Sequence, residues 1–215
     1  MRSARSAQGM SLRELARRLD VSPGHISQVE RGLVAPSIQL VYAIAAELSL
    51  PMSELFGDSA RAGGAGAAGP VRGAGAAGDG SDHPDGAGDV PRTDGEERFV
   101  TRAAERRIID LETGVRWELL TPTPREPVDF REIVYPAGAG TEAGTGFVRH
   151  SGREYGLVLA GVLSVQLDFD EYRLGPGDSI AFDSAVPHRF WNDGGATVRA
   201  VWCTVEGMPG ETCAF

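Results

Sequence analysis

The 215-residue chain contains no lysine; all 21 of its basic residues are arginine. We read this as base bias of the coding DNA rather than as mechanism. Cysteine is almost absent, with only Cys203 and Cys213 near the C-terminus. Two such residues make no disulfide framework, so a reduced, cytoplasmic setting is expected. No run approaches the roughly 18 apolar residues of a membrane span. The opening stretch, MRSARSAQGMS, has charge but neither an apolar core nor a small-residue cleavage site, so no secretory signal is expected. Histidine is scarce as well: His25, His83, His150 and His188 are all there is.

What remains is a globular composition, 41% hydrophobic, on a chain long enough for two small domains. The formal charge of −9 is unevenly spread. Residues 1–56 hold six Arg and five acids, a net +1; residues 57–97 hold three and eight, a net −5; residues 98–215 hold twelve and seventeen, again −5. Work on nucleic acid therefore belongs to the N-terminal end. A domain at +1 binds DNA weakly alone, because phosphate contacts supply most of the affinity, and pairing two copies helps.

Three segments follow. Residues 1–56 have helical periodicity. Residues 57–97 are Gly, Ala, Asp and Pro with little apolar bulk, which reads as a disordered linker with an r.m.s. reach of roughly 35 Å. His83 lies there and is given no role. Residues 98–215 are short alternating stretches broken by Gly, Pro and Asp, the pattern of an all-β sandwich or barrel.

In the first segment, SLRELARRL at 11–19 puts Leu12, Leu15, Ala16 and Leu19 on one face, with Ser11 and Glu14 as a capping pair. After the break DVS, Ser22 and Pro23 begin a second helix that buries Ile26 and Val29 and stops at Gly32. Ser37 caps a third, with Leu40, Ala43, Ile44 and Leu48 at core spacing, and PMSELF forms a short last helix. Two helices joined by a tight turn are a helix-turn-helix candidate.

Residues 9–56 closely resemble the phage-repressor-like (Cro/CI, xenobiotic-response-element) helix-turn-helix family, through Leu15-Ala16, VSPGHISQVERG and the AP before the third helix. The resemblance implies that residues 22–31 form a recognition helix for the DNA major groove. Pro23, Gly24, His25 and Gln28 would face base edges, and Ser22, Ser27 and Arg31 would face phosphates. Gln28 suits a bidentate contact to adenine. Arg17 and Arg18 read as a solvated face. Members of this family carry a complete helix before the position of GMS, whereas MRSARSAQ is only its end, so the natural chain is expected to begin upstream.

In the last segment, Leu163, Val165 and Leu167 alternate with Ser164 and Gln166; GPGD at 175–178 is a turn; SIAF, HRFW and ATVRAVWCTV are further strands. This segment, roughly 108–206, resembles the cupin superfamily of double-stranded β-barrels. His150, Glu154 and Gly161 fit its first motif. Gly177, His188 and Asn192 fit its second, although Asp183 and Ala185 stand where proline and glycine are usual. Metal-binding cupins use two histidines, a glutamate and a later histidine. The first of the pair falls on Val148 here, leaving His150, Glu154 and His188. Two histidines and one carboxylate can form a facial triad for iron(II) or another divalent ion (Zn, Mn or Ni). The alternative is that the three line a pocket and hydrogen-bond an organic ligand. By strand alternation Arg149, Arg153 and Arg189 point away from the interior. Trp117, Tyr155, Phe190, Trp191 and Trp202 are candidates to fill the barrel.

Together these imply a multidomain α plus β chain: a helix-turn-helix domain at 1–56, a linker at 57–97 and a cupin at 98–215. The expected function is that of a cytoplasmic, non-enzymatic, one-component regulator. It would bind a double-stranded DNA operator as a homodimer and sense a small-molecule effector in the barrel. The competing reading is an iron-dependent oxidase or epoxidase with an accessory helical domain. That reading needs the helical domain packed on the barrel.

Overall fold

A computed structural model describes residues 1–56, 91–122, 128–140 and 146–205. Residues 57–90, with His83, lie outside the described residues, and so does Cys213. The chain opens with four α-helices: α1 (Arg2–Ala7), α2 (Leu12–Arg18), α3 (Pro23–Glu30) and α4 (Ile38–Glu47). Three of them start on the same device. The hydroxyl of Ser11, Ser22 or Ser37 accepts the backbone N–H three residues on, at 3.1 Å each time. Gly32 adopts a left-handed φ of +67° just past α3, where a side chain would be strained. PMSELF forms a 3-10 turn, Met52–Leu55, rather than a continuing helix.

Leu15, Ala16, Ile26, Val29, Leu40, Ile44 and Leu48 make one apolar core, as their spacing predicts. Ala43 does not join it and is exposed; Val41 and Ala45 are buried instead. The stripe of α4 runs 40-41-44-45-48, and position 43 falls about 130° from its middle. From α1, Arg5 reaches Glu30 through two hydrogen bonds, 2.7 and 3.0 Å, and also donates to the Met10 carbonyl. That buried pair ties α1 to the end of α3.

Nine strands follow among the described residues: β1 (Ile108–Asp110), β2 (Arg116–Leu119), β3 (Val128–Tyr135), β4 (Arg153–Ala160), β5 (Leu163–Leu167), β6 (Asp170–Leu174), β7 (Ser179–Asp183), β8 (His188–Trp191) and β9 (Val198–Val205). They form a six-stranded sheet in the order β1-β2-β3-β9-β4-β7 and a three-stranded sheet, β6-β5-β8. All named pairings are antiparallel. The arrangement is the double-stranded β-barrel that the cupin resemblance implies.

Register decides what the barrel interior contains. Asp129, Thr204, Glu154 and Phe182 lie in one row across β3, β9, β4 and β7; Arg131, Trp202, Gly156 and Ile180 lie in a second inward row. Gly156 is required there, because a Cβ would sit 2.3 Å from the Trp202 ring. Trp117 and Trp202 are buried and Phe190 is half-buried, as expected of barrel filling. Tyr155 is not: it is 44% exposed. Its neighbour Glu154 points inward, and successive side chains on a strand point to opposite faces. Trp191 likewise alternates with Phe190 and meets the Arg189 guanidinium, 4.8 Å from its ring. The outer face of the large sheet is notably apolar, with Tyr155, Leu157, Leu159 and Phe130 all exposed.

Candidate functional site

The first candidate surface is α3. Ile26 and Val29 are buried and anchor it. Ser22, Pro23, Gly24, Gln28 and Arg31 are exposed, and His25 and Ser27 are half-exposed. All seven residues expected to read DNA thus keep surface available, and Gly24, Ser27, Gln28 and Arg31 lie on the side of the helix away from its anchor. Arg31 folds back to donate to the Ser27 carbonyl at 3.1 Å, leaving its other guanidinium nitrogens to the outside. The neighbouring Arg17 and Arg18 are engaged with Glu14, and Arg18 also with Glu47. They form the solvated face that the sequence suggests.

The second candidate site lies inside the barrel. His150 precedes β4, Glu154 sits on β4 and His188 opens β8; one ligand atom from each lies within 4.8 Å of the others. His150 Nε2 is 2.7 Å and His188 Nε2 3.1 Å from the same oxygen, Glu154 Oε1. Each imidazole is oriented from behind. His150 Nδ1 is 3.1 Å from the Ser151 carbonyl and His188 Nδ1 2.8 Å from the Val186 carbonyl. A carbonyl can only accept, so Nδ1 carries the proton in both rings and both Nε2 atoms face Glu154. Trp202 Nε1 donates to the other oxygen, Oε2.

Neutral imidazoles would present two lone pairs to a carboxylate oxygen, which is repulsive unless positive charge lies between. Despite their closeness, His150 Nε2 and Glu154 Oε1 are not aligned for a hydrogen bond with any protein group. Ligand atoms about 2 Å from a common ion sit roughly 3 Å apart, the spacing seen here. The donor set therefore fits a divalent cation. Val148, in the position of the missing histidine, pairs with His188 by two backbone hydrogen bonds and adds a plain apolar wall. Asn192, the last motif residue, is structural: its amide nitrogen reaches the Tyr135, Pro136 and Ala196 carbonyls at 2.8–3.0 Å.

Two parts of the cavity escape the sequence reading. Arg131, 2% exposed, is paired with Asp129 two residues back on β3 and lies 4.4 Å over the Trp117 ring. An Asp and an Arg at i and i+2 on an otherwise apolar strand face is a signal that could have found the pair. The other is Tyr42, from α4 of the helical domain. Its ring stacks on His150 at 4.6 Å and 15°, and its hydroxyl accepts from Arg131 at 3.3 Å. Gln39 donates to the Gly146 carbonyl and Glu112 N–H to the Pro36 carbonyl, both at 3.1 Å. The two domains are thus in contact, the condition that the competing enzyme reading sets. Arg149 is exposed and Arg189 lies along the outer aromatics, as alternation suggests; Arg153 is half-buried.

The class is defined by this geometry: a helix-turn-helix domain docked on a cupin barrel. Comparison with known proteins agrees. Residues 1–55 match the helix-turn-helix family model and residues 132–204 the cupin domain. The chain carries both domains, the organisation of phage-repressor-like regulators with a C-terminal cupin. It is 42% identical over 59 residues to the transcriptional regulator ClgR of Mycobacterium tuberculosis, covering 27% of this chain and 53% of that protein. The chain thus spans about half the length of the curated relatives it matches. A solved helix-turn-helix family transcriptional regulator from Vibrio cholerae shares the fold over 96% of this chain and 93% of that one, with a TM-score of 0.55 and 18% identity. A hydroxypropylphosphonic acid epoxidase from S. wedmorenis aligns over 94% and 93% at a TM-score of 0.44 and 18% identity. At that level the likeness carries no argument about chemistry. Among the described residues no helix is long and apolar enough to cross a membrane.

Proposed function

We propose that this chain is a one-component, cytoplasmic transcription regulator that reads double-stranded DNA with α3 and senses a small molecule in the barrel. The observation that carries the reading is the division of α3. Ile26 and Val29 are sequestered, while Ser22, Pro23, Gly24, Gln28 and Arg31 are exposed and His25 and Ser27 half-exposed. A helix used only for packing has no need of an uncommitted polar face. Dimerisation would use the apolar outer face of β4 and β9, where Tyr155 pairs with Cys203 and Leu157 with Val201. Two α3 helices could then address half-sites about one helical turn apart. Selection of bound sequences from a random DNA pool is expected to yield a near-palindromic site. Gln28→Ala is expected to weaken binding to it by about 1–3 kcal/mol in a gel-shift titration. Unchanged affinity and specificity would remove Gln28 from the reading face.

For the barrel we infer that His150, Glu154 and His188 hold one divalent ion, iron, zinc, manganese or nickel. When bound, such an ion supplies open coordination positions for an oxygen donor of the effector. The chain's own contribution is to hold the three donors: backbone carbonyls fix the two imidazoles and Trp202 fixes the carboxylate. Plasma mass spectrometry on untagged protein should find about one ion per chain, lost in His150→Ala. A folded protein with no ion would make the three residues a hydrogen-bonding pocket instead. A second reading, a metal-dependent oxidative enzyme with an accessory helical domain, is favoured by the docking of α4 on the barrel. Sustained substrate-dependent oxygen uptake by the iron-loaded protein would support it over a regulator without chemistry.

A further inference from the structure

We propose that the barrel cavity binds a small aryl carboxylate, and that Tyr42 of the helical domain occupies this ligand's place in the free protein. The proposal rests on the sensor reading of the barrel and deepens it. Tyr42 is not a barrel residue; it enters from α4. Within the cavity its ring lies parallel to His150 and edge-on to Trp117, with centroids 4.6 and 6.1 Å away. Its oxygen accepts from Arg131. The cavity therefore already holds an aromatic ring with an oxygen acceptor at the arginine end.

Space makes the two occupants exclusive. With Tyr42 in place the cavity volume is about 40 Å³. That is room for roughly three waters, where a metabolite-sized ligand needs several hundred Å³. A ligand of that size cannot enter while Tyr42 stays.

Polarity identifies the class. Arg131 is fully interior, and its Nε has no hydrogen-bond partner. Its bond to Tyr42, at 3.3 Å, is long, and its approach to Thr204 Oγ1, 3.5 Å, longer still. Asp129 holds Nη1; once Tyr42 leaves, Nε and Nη2 lack a close acceptor, and a carboxylate satisfies that side of the guanidinium with two parallel bonds that a neutral amide cannot match. The remaining walls, Trp117, Ile133, Val148 and Phe190, are apolar or aromatic and suit a ring.

The consequence reaches the DNA. Tyr42 sits on α4 beside Leu40, Val41 and Ile44, which share one core with Ile26 and Val29 of α3. A ligand that binds only the state with Tyr42 withdrawn shifts the docking of the helical domain by its differential affinity. The domain contact thus carries the signal, with no need of a mechanical link through residues 57–97.

The test uses the full chain without DNA, titrated with benzoate and benzamide while the fluorescence of the tryptophans lining the cavity is followed. We expect benzoate to bind Tyr42→Ala at least ten-fold more tightly than the parent protein, and benzamide at least ten-fold more weakly than benzoate in both. The double variant Asp129→Asn/Arg131→Gln, which leaves no unpaired buried charge, should lose the preference for benzoate. Equal affinity of Tyr42→Ala and parent overturns the displacement. Equal affinity for the two probes, or no binding of benzoate by either protein, overturns the ligand class. Because no DNA is present, either failure leaves the DNA-binding reading standing, and a failed operator selection leaves this one standing.

Discussion

The helical domain and the barrel both bury an apolar core, but the barrel adds a cluster of charged and polar side chains to it. The helical core is a set of aliphatic side chains, Leu15, Ile26, Val41, Ile44 and Leu48, joined at its edge by the single ion pair of Arg5 and Glu30. The barrel buries Asp129, Arg131, Glu154, His188 and Thr204 among its aromatics. A polar group taken out of water costs free energy unless it is fully paired, so an interior of that kind is a poor way to hold a fold together. The helices place their chemistry on the outside and use the inside for stability. The barrel carries its chemistry inside, beside its apolar core, and leaves a broad apolar surface outside.

The comparison can be broken by stability measurements that separate the domains. All three tryptophans, Trp117, Trp191 and Trp202, belong to the barrel, so fluorescence follows its unfolding, while circular dichroism at 222 nm weights the helices. The largest effect should come from Asp129→Ala, which leaves Arg131 buried without its counter-charge. A loss of about 3–5 kcal/mol is expected in the fluorescence-detected urea transition. A barrel indifferent to it would mean that water reaches Arg131. Next is Ile26→Ala in the helical core, at about 2–5 kcal/mol in the dichroism-detected transition. Gly156→Ala should cost the barrel about 1–3 kcal/mol, because the new methyl must displace the Trp202 ring. Smallest is Ser22→Ala, about 1 kcal/mol, through loss of the bond from the His25 N–H. Should the Ser22 change exceed the Ile26 change, the cap rather than the core would be what holds α3.

Legibility followed the same division. In the helices the decisive signals are local. A serine followed by an amide three residues on, a proline in the first turn and apolar residues three and four apart all act within about two turns of chain. Ala43, which was misplaced in the core, is a small residue that either face tolerates. In the barrel, His150 and Glu154 are four residues apart and share one motif, so their partnership was readable, and His188 came with the second motif. Tyr155 was misjudged because an aromatic beside a glutamate reads as filling until one knows which of the two points inward.

Tyr42 and Arg131 were unreadable for a different reason. They are 89 residues apart, and neither belongs to a motif. Tyr42 looks like one more apolar residue on an amphipathic helix. What distinguishes it is that the barrel presses on the side of α4 that the helical core leaves free.

By itself the sequence determined where helices begin and end, which side of α3 is anchored, that a β-barrel follows, and which three side chains can converge on an ion. Those follow from contacts within one turn, one strand alternation or one motif. Only the tertiary structure decided that Arg131 shares the cavity, that Trp202 holds Glu154, and that the helical domain closes the barrel with Tyr42. Each depends on strand register or domain docking, which sum many weak contacts between distant residues and leave no local pattern.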